Sequence, residues 1–216
     1  MNIILIGPPG AGKGTQGDNL VKDFNLFKIS TGELLRKEVE KKSELGIKIK
    51  HIIEKGQLAS DEIINNLIEI ILSNKNYSNR LIFDGYPRNL SQVNTLTKLM
   101  KKYNQVIKCV LCLKVDKNSI VKRILGRQVC FKCGLTFNEF FNPSNKGNHA
   151  CDIKFLQKRS DDNEETIIKR FETYLKDTLP IINYYRDLRL LHEIDGMNNI
   201  SSIYANIRSI INSIET

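Results

Sequence analysis

The sequence predicts an α/β fold in which a five-stranded parallel sheet is wrapped by helices and carries a small inserted subdomain. Three observations lead there. Short apolar runs alternate with helical patterns along most of the chain; the first run ends in a glycine cluster that opens a helix; and residues 127–162 have no helical period.

The first strand is Asn2–Ile6, NIILI, apolar at consecutive positions as a strand covered on both faces must be. Similar runs at 27–30, 80–83, 106–115 and 190–194 supply the other four. Helical patterns lie between them at 15–24, 32–41, 61–72, 91–102, 117–125 and 164–185. A last helix at 201–214 carries Ile203, Ile207, Ile210, Ile211 and Ile214 on one face and is expected to pack back on the sheet. The irregular stretch holds three Cys, two Gly, one Pro and several Phe, a composition suited to a small loop-rich insertion.

With 41% hydrophobic residues, 216 residues can bury a core. The longest apolar runs, such as 3–6 and 110–113, fall far short of the roughly 20 residues needed to cross a bilayer. The N-terminus has no charged lead and apolar stretch of a signal peptide, so a cytoplasmic location is expected. The net charge of +9 comes mostly from Lys, 23 of 33 basic residues, scattered without a dense block, so charge alone does not point to nucleic acid. Five Cys without a secretory context argue for free thiols or a metal site rather than disulfides.

The segment Gly7-Pro8-Pro9-Gly10-Ala11-Gly12-Lys13-Gly14-Thr15 joins the first strand to the first helix. Glycines let the backbone curl so that successive N–H groups point inward, and the helix adds the positive end of its dipole. Lys13 supplies a mobile charge for the outer phosphates. Ser or Thr usually follows such a lysine directly; here Gly14 precedes Thr15, so magnesium is not expected to be held by the usual hydroxyl alone. A bare glycine turn does not explain why strand, loop, lysine and helix coincide. The fold is therefore of the P-loop NTPase type, with Gly10, Ala11, Gly12, Lys13, Gly14 and Thr15 as phosphate ligands.

Ser30-Thr31-Gly32-Glu33-Leu34-Leu35-Arg36 opens a helix with Thr31 near its start and Arg36 one turn in, so a hydroxyl and a guanidinium can face one ligand. The same residues also read as an ordinary helix cap. Asp84-Gly85-Tyr86-Pro87-Arg88 follows the strand at 80–83, which sets Asp84 at the carboxyl end of a central strand, where parallel sheets bind ligands. There Asp84 can organise magnesium through its water shell.

Taken in order, the phosphate loop, STGELLR, DGYPR with Gln92 four residues on, and RSDDNEET resemble the adenylate kinase family over essentially the whole chain, with Tyr86 where Phe is commoner. The resemblance implies a core of residues 1–29, 60–126 and 163–216, an AMP-binding segment at 30–59 and a lid at 127–162. It implies the reversible, magnesium-dependent reaction ATP + AMP = 2 ADP, with ATP, AMP and ADP as partners. Six of the ten Arg stand where the family has phosphate ligands. By this resemblance Arg36 and Arg88 hold the AMP phosphate, and Thr31, Gln57, Leu58, Ala59, Gly85, Tyr86, Pro87 and Gln92 surround AMP. Arg123, Arg127, Arg159 and Arg170 converge on the transferring phosphoryl group and ATP, with Arg159 and Arg170 also reaching AMP. Thr136, Phe137 and Asn198 lie near the ATP base or ribose. Lys13, Asp84, Arg88, Arg123, Arg159 and Arg170 form the implied catalytic set.

The nucleophile in that reaction is an AMP phosphate oxygen, ionised near neutral pH, so no general base is required. Alignment, positive charge and exclusion of water remain to be supplied. Arginines on a hinged flap predict open and closed states.

Cys130-Phe131-Lys132-Cys133 followed by Cys151 resembles half of a zinc knuckle plus a third ligand, as in the lids of many bacterial adenylate kinases. The family's fourth ligand normally lies three residues further on, where this chain has Lys154. Asp152 is therefore expected as the fourth ligand of a structural zinc, ahead of His149; three unliganded thiols are the alternative. Cys109 and Cys112 read as packing in a buried strand.

Two other functions stay open. One is a nucleoside monophosphate kinase with another acceptor or GTP as donor, although the long lid and Gln92, which offers adenine both a donor and an acceptor, argue for AMP. The other is a zinc-containing nucleic-acid-binding protein, which leaves Arg36, Arg88, Arg159 and Arg170 unexplained. No long exposed apolar face stands out, so a monomer without membrane or nucleic-acid partners is expected.

Overall fold

The computed structural model describes residues 1–42, 44–55 and 59–215. Among them the strands are, in chain order, Asn2–Ile6 (β1), Phe27–Ser30 (β2), Leu81–Asp84 (β3), Ile107–Lys114 (β4), Arg127–Cys130 (β5), Thr136–Asn138 (β6), Leu156–Gln157 (β7) and Leu191–Asp195 (β8). The α-helices are Lys13–Phe24 (α1), Thr31–Glu40 (α2), Glu44–Glu54 (α3), Asp61–Ser73 (α4), Leu90–Lys102 (α5), Lys117–Leu125 (α6), Glu164–Thr173 (α7), Leu179–Asp187 (α8) and Ile200–Glu215 (α9).

The two-residue period of a strand divides β1 between two cores. Ile3 and Leu5 join Leu20 of α1 and Ile203, Ile207 and Ile211 of α9, while Ile4 and Ile6 join Ile68 of α4, Leu96 of α5 and Ile181 of α8. Each of these buried aliphatic side chains contributes on the order of 1.5–3 kcal/mol. β1 is thereby the centre of a five-stranded, wholly parallel sheet of order β2-β3-β1-β4-β8, as the sequence predicts. Parallel pairing puts every carboxyl end at one edge, and the register Leu5↔Asp84 and Ser30↔Asp84 brings the glycine loop, the start of α2 and Asp84 together.

Three features differ from the sequence reading. α3 forms where no helix was expected, and anchors itself through the fully buried Ile49. The pattern at 164–185 is not one helix: α7 stops at Thr173, Tyr174–Thr178 coils as a π-helix, and α8 starts at Leu179. Pro180 is the physical reason, since it lacks an N–H and its ring clashes with the carbonyl four residues back, so the turn widens. Residues 127–162 are not merely loops but hold an antiparallel sheet of order β6-β5-β7. Asn138 Nδ2 donates to the Arg123 carbonyl at 2.7 Å and ties that sheet to the end of α6.

Candidate active site

The carboxyl edge of the sheet opens into a cleft of about 1110 Å³. Gly12, left-handed at φ 94, caps α1 and turns the loop over the first turn of that helix. Lys13 Nζ donates to the Gly7 and Pro8 carbonyls at 2.6 and 2.9 Å. Burial pushes Lys13 down to about 8, with Arg88 and Arg127 adding to the effect and Asp84 opposing it, so the ammonium is short of negative charge. Asp84 overlooks the start of α1, its Oδ2 lying 3.8 Å from where a Cβ on Gly14 would stand. A carboxylate oxygen there suits a hard cation such as Mg2+.

Of the six cleft arginines, two are ion-paired. Arg127 is held by Asp162, through Nε to Oδ2 at 2.8 Å and Nη2 to Oδ1, and Arg170 Nη2 donates to Asp161 Oδ2. Burial would raise the Asp161 carboxyl, but Arg170, Arg36 and Arg127 hold it below its ordinary range. Arg36, Arg88 and Arg159 form no ion pair with a described residue. Burial pushes each of them down, Arg159 to about 9 with help from Arg127 and Arg36, and Arg88 with help from Arg170 and Arg36. Guanidinium groups stay protonated at neutral pH, so these three are half-buried cations on the cleft with no ion pair among the described residues, and they suit an anionic ligand. Arg123 Nη2 donates to the Gly196 carbonyl at 2.8 Å, and its guanidinium lies 5.6 Å from the centre of the Phe141 ring.

On the β3 side, Thr31, Gly85, Pro87, Arg88, Gln92 and Ala59 line the cleft, whereas Gln57 and Leu58 lie outside the described residues. The Tyr86 side chain turns away instead: it is buried, donates from its hydroxyl to Asn65 Oδ1 at 2.7 Å, and burial raises its pKa. On the lid side, Thr136, Phe137 and Asn198 line the cleft. The Phe137 ring is largely occupied by His149, 4.7 Å away, while Phe141, which the sequence reading passed over, is half exposed in the same cleft. Only its place four residues beyond Phe137 could have suggested it. Thr178 of the π segment, also missed, lines the cleft and donates to the Arg88 carbonyl at 2.9 Å.

In the lid, Cys130, Cys133, Cys151 and His149 gather, one ligand atom of each lying within 4.8 Å of the others. His149, not Asp152, completes the set. Asp152 Oδ1 accepts from the Lys154 N–H at 2.9 Å and caps a short 3-10 turn, which directs it elsewhere. Ser144 Oγ meets His149 Nδ1 at 2.9 Å, leaving Nε2 buried without a partner. Burial would raise the Cys130 thiol, but the Cys133 and Lys132 backbone N–H groups and the nearby His149 ring hold it down at about 6; burial and the adjoining thiols push Cys151 up to about 11. An orphaned imidazole nitrogen facing three sulfurs is a donor set that fits Zn2+. Cys109 and Cys112 are buried in β4, as expected of packing residues.

The fold and its cation-lined cleft define a class: a P-loop phosphotransferase that binds nucleotides. The adenylate kinase family matches the chain over residues 5–189. The chain is 46% identical to an adenylate kinase of Pelagibacter ubique over 98% of its own length and 99% of the relative's. It is 39% identical to one of Alkaliphilus oremlandii, over 96% of both, and 38% identical to one of Clostridium botulinum, over 98% of both. The chain belongs to the adenylate kinase family. It is a nucleoside monophosphate kinase, and the reaction is ATP + AMP = 2 ADP. No helix among the described residues is long and apolar enough to cross a membrane.

Proposed function

We propose that this chain carries out the exchange with its own residues divided into a donor set, an acceptor set and a set that meets the group in flight. Gly10 to Thr15, Lys13 among them, take the ATP phosphates; Thr31, Arg36, Arg88 and Gln92 take AMP; Arg123 and Arg170 of the core and Arg127 and Arg159 of the lid converge on the transferring group. The observation that carries this is the set of guanidiniums with no ion pair among the described residues, Arg36, Arg88, Arg123 and Arg159, along the cleft that begins at Lys13. Their unmatched charge favours phosphate, and most strongly the transition state, where charge spreads over the oxygens of the group in flight.

No proton has to be removed from the acceptor phosphate, so these residues act by alignment and charge. Asp161 and Asp162 are positioning residues that hold Arg170 and Arg127. Asp84 would steady a Mg2+ brought with ATP, which would supply charge neutralisation at the phosphates. Residues 30–59 and 127–162 act as two mobile covers on the core, and their closure excludes water. Cys130, Cys133, His149 and Cys151 would hold a Zn2+ that stiffens the lid. Phe141, with Arg123 against it, offers a face on which the ATP base can stack. On this reading the chain works as a cytoplasmic monomer.

The test is ADP production with magnesium, ATP and each of AMP, GMP, CMP and UMP. AMP should lead by orders of magnitude, and Arg88→Ala or Lys13→Ala should lower the rate by roughly 10³ or more without unfolding the protein. A preferred acceptor other than AMP would overturn the acceptor assignment, and a mutant with near-normal turnover would remove that residue from the mechanism.

A further inference from the structure

Gln92, the third residue of α5, is almost wholly buried beside the cleft, and both ends of its amide are engaged. Nε2 donates to Asp61 Oδ1 at 2.8 Å, and Oε1 accepts the Arg88 N–H at 2.7 Å. Neither partner can exchange roles, because a backbone N–H only donates and a carboxylate only accepts. Turning the amide over would set oxygen against carboxylate and NH2 against N–H, replacing two hydrogen bonds with two repulsions. Asp61 is itself held: Asn89 Nδ2 donates to Oδ1 and Oδ2 at 3.1 and 3.4 Å, while Asn89 Oδ1 caps α5 by accepting from the Gln92 N–H at 2.8 Å.

We infer that Asp61, on α4, is a specificity-determining positioning residue: by fixing which way the Gln92 amide faces, it selects a 6-aminopurine acceptor against a 6-oxopurine. This rests on the proposed contact between Gln92 and the AMP base. A primary amide has two N–H donors and two lone pairs on oxygen, so after its fixed partners one of each is left for the cleft. A 6-aminopurine presents an amino donor next to the N1 acceptor and matches that edge. A 6-oxopurine presents O6 as acceptor next to an N1–H donor, and matches only the reversed amide that Asp61 and the Arg88 N–H forbid. Rejection by an unmatched buried polar group is far stronger than rejection by shape.

The test compares AMP with IMP as acceptors at saturating ATP in the intact enzyme. Asp61→Asn, whose amide can donate as well as accept, should lower the AMP-to-IMP ratio of kcat/KM by about tenfold or more, through the acceptor KM and with the ATP KM unchanged. Glu62→Gln removes the neighbouring first-turn charge from an exposed side chain and should leave the ratio where it was. If Gln92→Ala collapses the ratio but Asp61→Asn keeps it, the inference fails while the base contact stands. If neither variant moves the ratio, the base contact fails with it. Should Asp61→Asn not fold, NMR of the unmodified protein decides: a Gln92 side-chain N–H protected from exchange supports the lock, and both side-chain protons exchanging at the bulk rate overturn it.

Discussion

The Thr31 hydroxyl donates to the Gly85 carbonyl across 2.8 Å, joining the first residue of α2 to the loop after β3. Arg88 Nε donates to the same oxygen at 2.7 Å. One carbonyl thus orients both the hydroxyl and the guanidinium proposed for the acceptor phosphate. It can do so because Gly85 sits at φ +78, a left-handed conformation that other residues adopt only with strain.

Gly85→Ala is accordingly expected to strike acceptor binding. Its Cβ would lie 2.8 Å from Arg88 Nη2 and 3.0 Å from Thr31 Oγ1, so one of them must move. Steady-state kinetics should show the AMP KM raised by about tenfold or more, on the scale of a displaced charged contact, with a much smaller change for ATP. An unchanged AMP KM would separate this carbonyl from the acceptor site.

Lys13 makes ATP binding depend on pH in a defined direction. In the free protein its pKa is held down to about 8 from an ordinary 10.5, chiefly by burial. A polyphosphate beside it restores the charged form, so the complex binds more protons than the free protein at and above pH 8. ATP affinity should therefore fall as pH rises through 8 and stay flat well below it. Calorimetry in two buffers of different ionisation enthalpy should register proton uptake at pH 8 to 9, and Lys13→Gln should abolish it. Equal apparent enthalpies in both buffers with the wild-type protein would contradict this.

The lid cluster predicts a metal content that distinguishes two neighbouring residues. Protein purified without chelator should carry about one zinc per chain, as a closed four-ligand site does. His149→Ala and Cys151→Ser should lose it and expose the lid to proteolysis, whereas Asp152→Ala should keep it. The reverse pattern, zinc lost with Asp152 and retained without His149, would refute the assignment.

The strands and the phosphate loop were legible because their signals are local. NIILI running into a glycine cluster, a lysine and a helix needs no distant residue to be understood. The fourth member of the lid cluster was not legible. Asp152 adjoins Cys151 in sequence, yet it is spent on the Lys154 N–H, while Phe137 and Ser144 fix the His149 ring inward. The break at Tyr174–Thr178 hid for a related reason: the apolar period of 164–185 continues through it, and only the backbone consequence of Pro180 interrupts the helix.

Side-chain periodicity and glycine chemistry, both read from the chain alone, were enough for the parallel sheet and the phosphate loop, whereas the arginines as a set were named only through the resemblance to the adenylate kinase family. Which cations are neutralised was settled by folding. Arg127 meets Asp162 and Arg170 meets Asp161, while Arg36, Arg88 and Arg159 stand half-buried on the same cleft without an ion pair among the described residues. Ion-pair energies depend on separation and on depth below the surface, and neither quantity exists until segments far apart in the chain are brought to one edge of the sheet.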